Sequence, residues 1–176
     1  MRIRVLTIAM LSAAMLTAGA ACAQQAQQPN PLDVVPDKMP FDIPYGLSMS
    51  LDQAQAAIAA GVAEAKKRGW KLNVAVVDPG GSLIAFQRMD GAQIGSIAIA
   101  EHKARAAAKY RRETKIFENA VQNGIYYILT LDDIIASRGG IPLVEGGKLI
   151  GAIGCSGATG SQDEVICKAG AAVINR

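Results

Sequence analysis

Apolar residues first fall into a helical rhythm at Leu51, Ala54, Ile58, Val62 and Ala65, spaced by three and four, which predicts an amphipathic helix with one buried face. Ser50 with Gln53 forms a capping box at its start. Lys66, Lys67 and Arg68 suit the negative end of the helix dipole, and Gly69 closes it. The rhythm then changes. Residues 72–77 and 82–89 are apolar runs separated by Asp78-Pro-Gly-Gly81, where proline presets φ and glycine accepts positive φ, so they predict an antiparallel hairpin.

An alanine-rich helix follows, capped by Ser96 and running to Ala108, and a shorter one is expected over 112–123, ended by Gly124. Ile125 to Leu129 is apolar but too short to choose between strand and loop, and 131–137 reads as a helical turn. A second hairpin is signalled by Gly146-Gly147 between the apolar runs 142–145 and 148–154. A last helix is expected from about Gln162 to Ile174, with Ser161 and Glu164 as its capping box. Two hairpins without long crossovers, interleaved with helices, predict an α+β domain with an antiparallel sheet.

The stretch Gly151 to Glu164 places glycines at 151, 154, 157 and 160, between a buried strand and a helix start. Gly151 and Gly154 read as points of close backbone packing. Ser156 and Gly157 are candidate anion contacts, because a glycine loop entering a helix N-terminus presents free N–H groups. The loop lacks the Gly-Lys-Ser/Thr ending of a P-loop and the spacing of a dinucleotide loop, which excludes the usual nucleotide signatures.

The first 46 residues differ from the rest. Residues 1–23 have a basic start, an apolar stretch from Val5 to Leu16 and a small-x-small ending at Ala21-Cys22-Ala23, the pattern of a cleaved secretory signal peptide. The expected location is therefore periplasmic or secreted, with a lipoprotein anchored at Cys22 as the alternative. Residues 24–46 are rich in Pro and Gln and read as a linker or arm, with Met39, Phe41, Ile43 and Tyr45 alternating as if to lie on a surface; plain disorder is the other reading. Residues 47–176 form the expected domain. Removing Arg2 and Arg4 leaves 16 of the 18 Lys and Arg residues against 15 Asp and Glu, a net of +1. That balance argues against nucleic acid and anionic membranes as partners. No apolar run is long enough to be a transmembrane segment. Of the three cysteines, Cys155 and Cys167 follow the leader and either pair in an oxidising compartment or serve as small buried hydrophobes.

The motifs Val77-Asp-Pro-Gly-Gly-Ser-Leu83, Arg88-Met-Asp-Gly-Ala92, Lys103-Ala-Arg-Ala-Ala107, Gly140-Ile-Pro-Leu143, Gly151-Ala-Ile-Gly-Cys-Ser-Gly157 and Gln162-Asp-Glu164 occur in that order. Together they resemble the GlcG/HbpS family of haem-binding-like proteins over about Leu51 to Ile174. The resemblance implies a profilin-like fold with a five-stranded antiparallel sheet flanked by helices, and assembly into a homo-oligomer, a dimer or octamer. It also implies haem as a cofactor or ligand for some exported members. Two positions depart from the pattern: Cys155 stands where Val is usual, and Ala106 where Thr is common.

Arg88, Asp90 and Lys103 fall in these motifs. Arg88 and Lys103 read as cations for a ligand's carboxylates, such as haem propionates, with Asp90 orienting Arg88; alternatively Asp90 caps the turn and pairs with Arg88. His102, the single histidine, is a candidate metal or axial haem ligand or else an ordinary polar helix residue. Tyr126 and Tyr127 could ligate iron, but their apolar neighbourhood reads them as core or interface aromatics. No nucleophile elbow or Ser/His/Asp set is evident, and no catalytic residue is assigned. The reading is an exported haem- or tetrapyrrole-binding protein that takes a small-molecule ligand. The alternatives are a haem-degrading or small-acid-transforming enzyme and a non-catalytic accessory subunit.

Overall fold

A computed structural model describes residues 30, 33–39 and 41–175. The expected leader and Cys22 lie outside these residues. The chain divides into two units, Met1–Lys38 and Met39–Arg176. In the first, the Asp33 N–H donates to the Asn30 carbonyl at 2.9 Å.

In the second unit the elements run α1 Leu51–Arg68, β1 Asn73–Val77, β2 Leu83–Arg88, α2 Ser96–Tyr110, α3 Lys115–Gln122, a 3₁₀ helix Tyr126–Thr130, β3 Gly140–Glu145, β4 Lys148–Ser156 and α4 Gly160–Ala171. Among the described residues the strands form one sheet in the order β2-β1-β4-β3, with every neighbour antiparallel. Among the described residues no helix is long and apolar enough to cross a membrane.

The α+β class stands, but the five-stranded, profilin-like expectation is overturned: the described sheet has four strands. Residues 125–129, open to a strand reading, instead enter the 3₁₀ helix, with Ile128 inward and Tyr126, Tyr127 and Leu129 outward. Among the described residues, the arm comes near to strand pairing only at an isolated parallel bridge between Tyr45 and Leu149. There the Leu149 N–H donates to Pro44 and the Gly46 N–H to Leu149. β1 has already ended opposite Ala152, so the arm takes up the stretch of β4 that β1 leaves uncovered.

The sheet buries both faces. On one, Val74, Val76, Ile153 and Cys155 pack against α1 and α4 through residues such as Ile58, Val62 and Ile166. On the other, Ala75, Val77 and Ala152 meet Ala100, Ala104, Ala107 and Ala108 of α2. This second layer is thin because α2 rides almost on the backbone. A Cβ on Gly154 would overlap the Ala100 carbonyl oxygen and the Ala104 amide, which accounts for glycine at that position.

The outer edge of β3 is closed by side chains. Thr114 Oγ1 accepts from the Gly140 N–H at 2.9 Å. The Asn175 side chain accepts from the Val144 N–H at 2.8 Å and donates to the Pro142 carbonyl at 3.2 Å. These bonds satisfy an edge that would otherwise offer itself to another strand.

Two helix starts differ from the sequence reading. α4 is capped by Thr159, whose side chain and that of Gln162 form the capping box, two residues before the expected Ser161. α2 begins after Gly95 with no side-chain cap, and Ser96 is buried inside its first turn.

Candidate functional site

Where α1 ends beside the ends of β1 and β2, a cleft of about 350 Å³ opens, lined by Lys66, Trp70, Lys71, Arg88, Met89 and Asp90. The sequence builds it simply. Gly69 turns the chain out of α1 in the left-handed region (φ 69°), which delivers Trp70 and Lys71 to the entry of β1. The Met89 N–H donates to the Leu72 carbonyl at 3.1 Å, holding the two walls together. Arg68, bound to Glu64, stacks over the Trp70 ring at 5.1 Å and fixes the indole.

Most cations elsewhere in the fold are matched. Arg138 pairs with Glu118, Lys115 and Lys168 with Glu164, and Arg105 and Lys109 with Asp133. Among the described residues the side chains of Lys66, Lys71 and Arg88 make no ion pair or hydrogen bond. Arg88 and Asp90 share the cleft without pairing with each other. The cleft sets three cations against the single carboxylate of Asp90, beside an indole and a thioether, and this excess of positive charge suits an anion with a flat apolar body.

Lys103 lies elsewhere. It is 1% exposed, and its Nζ donates to Asp163 Oδ2 at 2.8 Å and to the Cys155 carbonyl at 3.2 Å. Asp163 Oδ1 accepts from the Ala158 N–H at 3.1 Å, and the Gly157 N–H also favours this carboxylate. The glycine loop's amides thus meet an anion supplied by the chain itself. Burial pushes the Asp163 carboxyl up, while Lys103 and the two amides act against that rise. Ser156 is buried opposite Asn73 in the β1–β4 ladder. Gly157 has φ 149°, and a Cβ there would come within 2.6 Å of the Lys71 carbonyl oxygen. Through that contact the loop braces the segment that carries Lys71.

His102 sits on α2, with Nε2 buried and without a hydrogen-bond partner. No group of three or more His, Cys, Asp and Glu side chains able to hold a metal occurs among the described residues. Tyr126 and Tyr127 are 64% and 55% exposed, which places them on the surface rather than in the core. Cys155 and Cys167 form a disulfide with Cα atoms 5.6 Å apart, tying β4 to α4 behind the Lys103–Asp163 pair.

The candidate residues therefore separate into two groups. Arg88 and Asp90 line the open cleft. Lys103 is one half of a closed ion pair with Asp163, Gly157 offers its N–H to that carboxylate, and Ser156 is buried in the β1–β4 ladder. Lys66, Trp70 and Lys71 were not singled out from the sequence, although Lys66 was visible as part of a basic run; that run is fully explained by helix-end electrostatics.

A family described as haem degrading protein HbpS-like matches residues 49–172. Protein GlcG of Escherichia coli K12 is 45% identical over 108 residues, covering 61% of this chain and 81% of that protein. The crystal structure of HbpS superposes with a TM-score of 0.69 at 29% identity, over 79% of this chain and 99% of that one. The crystal structure of a PduOC:haem complex superposes with a TM-score of 0.67 at 28% identity, over 73% of this chain and 96% of that one.

Proposed function

The chain belongs to the HbpS-like family, and from that premise we propose that it binds haem or a related tetrapyrrole at the cleft between the end of α1 and the end of β2. The observation that carries the proposal is the convergence of Lys66, Lys71 and Arg88, unpaired among the described residues, around Trp70 and Met89. The PduOC:haem complex, similar in fold at 28% identity, supports the same ligand class.

The residues suit the group. Haem presents two carboxylates on an apolar macrocycle. Arg88 and Lys71 would hold the propionates, and Lys66 adds to the positive field. Trp70 and Met89 would contact the ring, and a thioether is among the side chains that ligate haem iron. The cleft's volume suits one edge of the macrocycle, leaving the rest exposed to solvent or to a second subunit. The bound group would supply the redox chemistry. The chain's part is to anchor the carboxylates, orient the ring and set the local charge.

The same proposal places the mature protein outside the cytoplasm after cleavage near Ala23 and makes it a homo-oligomer. The leader-like residues 1–23 support the first. The outward Tyr126, Tyr127, Leu129 and Leu131 support the second, as a patch suited to burial between copies.

The test is a hemin titration followed in the Soret band. A saturable shift is expected, with Arg88→Gln and Lys71→Gln each weakening binding about tenfold, the scale of one charge-assisted hydrogen bond. No saturable shift, or unchanged affinity in both variants, would overturn the assignment.

A further inference from the structure

We propose that the protein has a second binding site, a groove under the N-terminal arm that takes the carboxylate of a small amphiphilic acid with an apolar tail. The groove has a volume of about 460 Å³ and lies between the arm, the α2–α3 junction and β3. It lies outside the Trp70 cleft, and none of its lining residues belongs to that cleft.

Its polar end is the pair Arg111 and Arg112. Arg111 stands in the left-handed region (φ 53°) at the end of α2, so the helix stops and consecutive arginines turn toward the arm. Arg111 Nη1 donates to the Ile43 carbonyl at 3.0 Å, and its guanidinium lies 5.3 Å from the Tyr45 ring centroid. Arg112 Nε donates to the Tyr110 carbonyl at 2.9 Å, and its guanidinium lies 3.2 Å from the Phe41 ring centroid. The Tyr45 hydroxyl donates to the Lys109 carbonyl at 2.6 Å, which ties down the arm end of this wall.

Neither guanidinium has a carboxylate partner among the described residues. The neighbouring charges do: Glu113 is 3.5 Å from Lys168, and Lys115 is 3.4 Å from Glu164. Two half-buried arginines therefore stand side by side with their charge uncompensated, while the acid and the base next to them are already engaged elsewhere. Burial, and then the charge of Arg111, push the Arg112 guanidinium below its ordinary value, the direction an incoming anion would reverse.

Glu113, Lys115, Asn119 and Asn175 also line the groove, and its remaining wall is apolar. Ile43 forms part of the arm wall, Ile141, Pro142 and Val144 of β3 form the floor, and Ile116, 40% exposed, forms the rim. A guanidinium pair matches a carboxylate in geometry as well as in charge. An apolar floor beside it selects an acid with a hydrocarbon tail over a small polar acid.

The experiment uses octanoate and octan-1-ol on the intact protein, read by methyl NMR. Octanoate is expected to bind saturably and to shift the methyl signals of Ile43, Ile141 and Val144. Octan-1-ol, with the same tail and no charge, is expected to bind at least about tenfold more weakly. Arg112→Gln should lower octanoate affinity by a similar factor, and Arg88→Gln should leave it unchanged. The proposal is overturned if octanoate shifts none of these methyls at millimolar concentration, or if octan-1-ol binds equally well. Octanoate shifts confined to Met89 in the native protein and lost in Arg88→Gln would place the acid in the Trp70 cleft and also overturn it. If Arg112→Gln fails to fold, the acid-against-alcohol comparison on the native protein decides alone.

Discussion

The Nζ of Lys103 lies 2.8 Å from Oδ2 of Asp163, and both side chains are almost fully buried. This contact joins α2 to α4 across the end of β4, with the Cys155 carbonyl as the third member. A buried pair of this kind is most sensitive to losing one partner, because the remaining charge is left without compensation. Lys103→Met is expected to destabilise the fold by about 3–5 kcal/mol in urea unfolding. Lys103→Met combined with Asp163→Leu should cost less than the sum of the two single changes, since no orphan charge remains. Additive losses would show that the two groups are not coupled.

Beside this pair, the Cys155–Cys167 bond closes a loop with a sequence separation of 12. The purified domain should contain no titratable thiol from these two residues. Reduction, or Cys167→Ser, should lower stability by about 3 kcal/mol, the amount expected for a loop of this size. Free thiols in protein purified under oxidising conditions would contradict the pairing.

Acid stability has a defined origin in Glu118. Its carboxylate accepts from the Arg138 side chain and from the Arg138 N–H, both at 2.8 Å, and these bonds hold its pKa below the ordinary 4.5. A depressed carboxyl contributes stability above its unfolded value, and that contribution is lost as the pH falls through the folded value. Urea midpoints should therefore drop as the pH is lowered below about 4.5, and the drop should be shallower in Glu118→Gln. Equal slopes in the two proteins would assign acid sensitivity elsewhere.

Much of this fold was legible because it is locally encoded. Asp78-Pro-Gly-Gly81 and Gly146-Gly147 marked both hairpins, and Ser50 with Gln53 marked the start of α1. One helix start was displaced: Ser161 with Glu164 was the expected capping box, and Thr159 with Gln162 forms it instead. Glu164 is instead engaged by Lys168 one turn along α4, and by Lys115 and Arg138, which reach it only once α3 and the segment before β3 pack against α4. The fifth strand came from resemblance, and residues 125–129 are too short and too exposed to join the sheet.

The candidate site was less legible than the fold. Lys103 and Arg88 looked alike as motif cations, but α2 lies so close to the sheet that Lys103 is sealed against Asp163. Arg88, at the end of edge strand β2, stays exposed. The glycine loop did favour an anion, and the anion is the side chain of Asp163. Trp70 gave no signal of its own, because its role depends on Met89 and Arg88 arriving from another strand.

Trp70 also supplies the most direct measurement, since it is the single tryptophan of the chain. If haem sits in the cleft beside it, added hemin should quench the indole fluorescence almost completely. The quenching should saturate with the same midpoint as the Soret shift and weaken in parallel with it in Arg88→Gln. A Soret shift that leaves the Trp70 emission unchanged would place haem elsewhere and contradict the account.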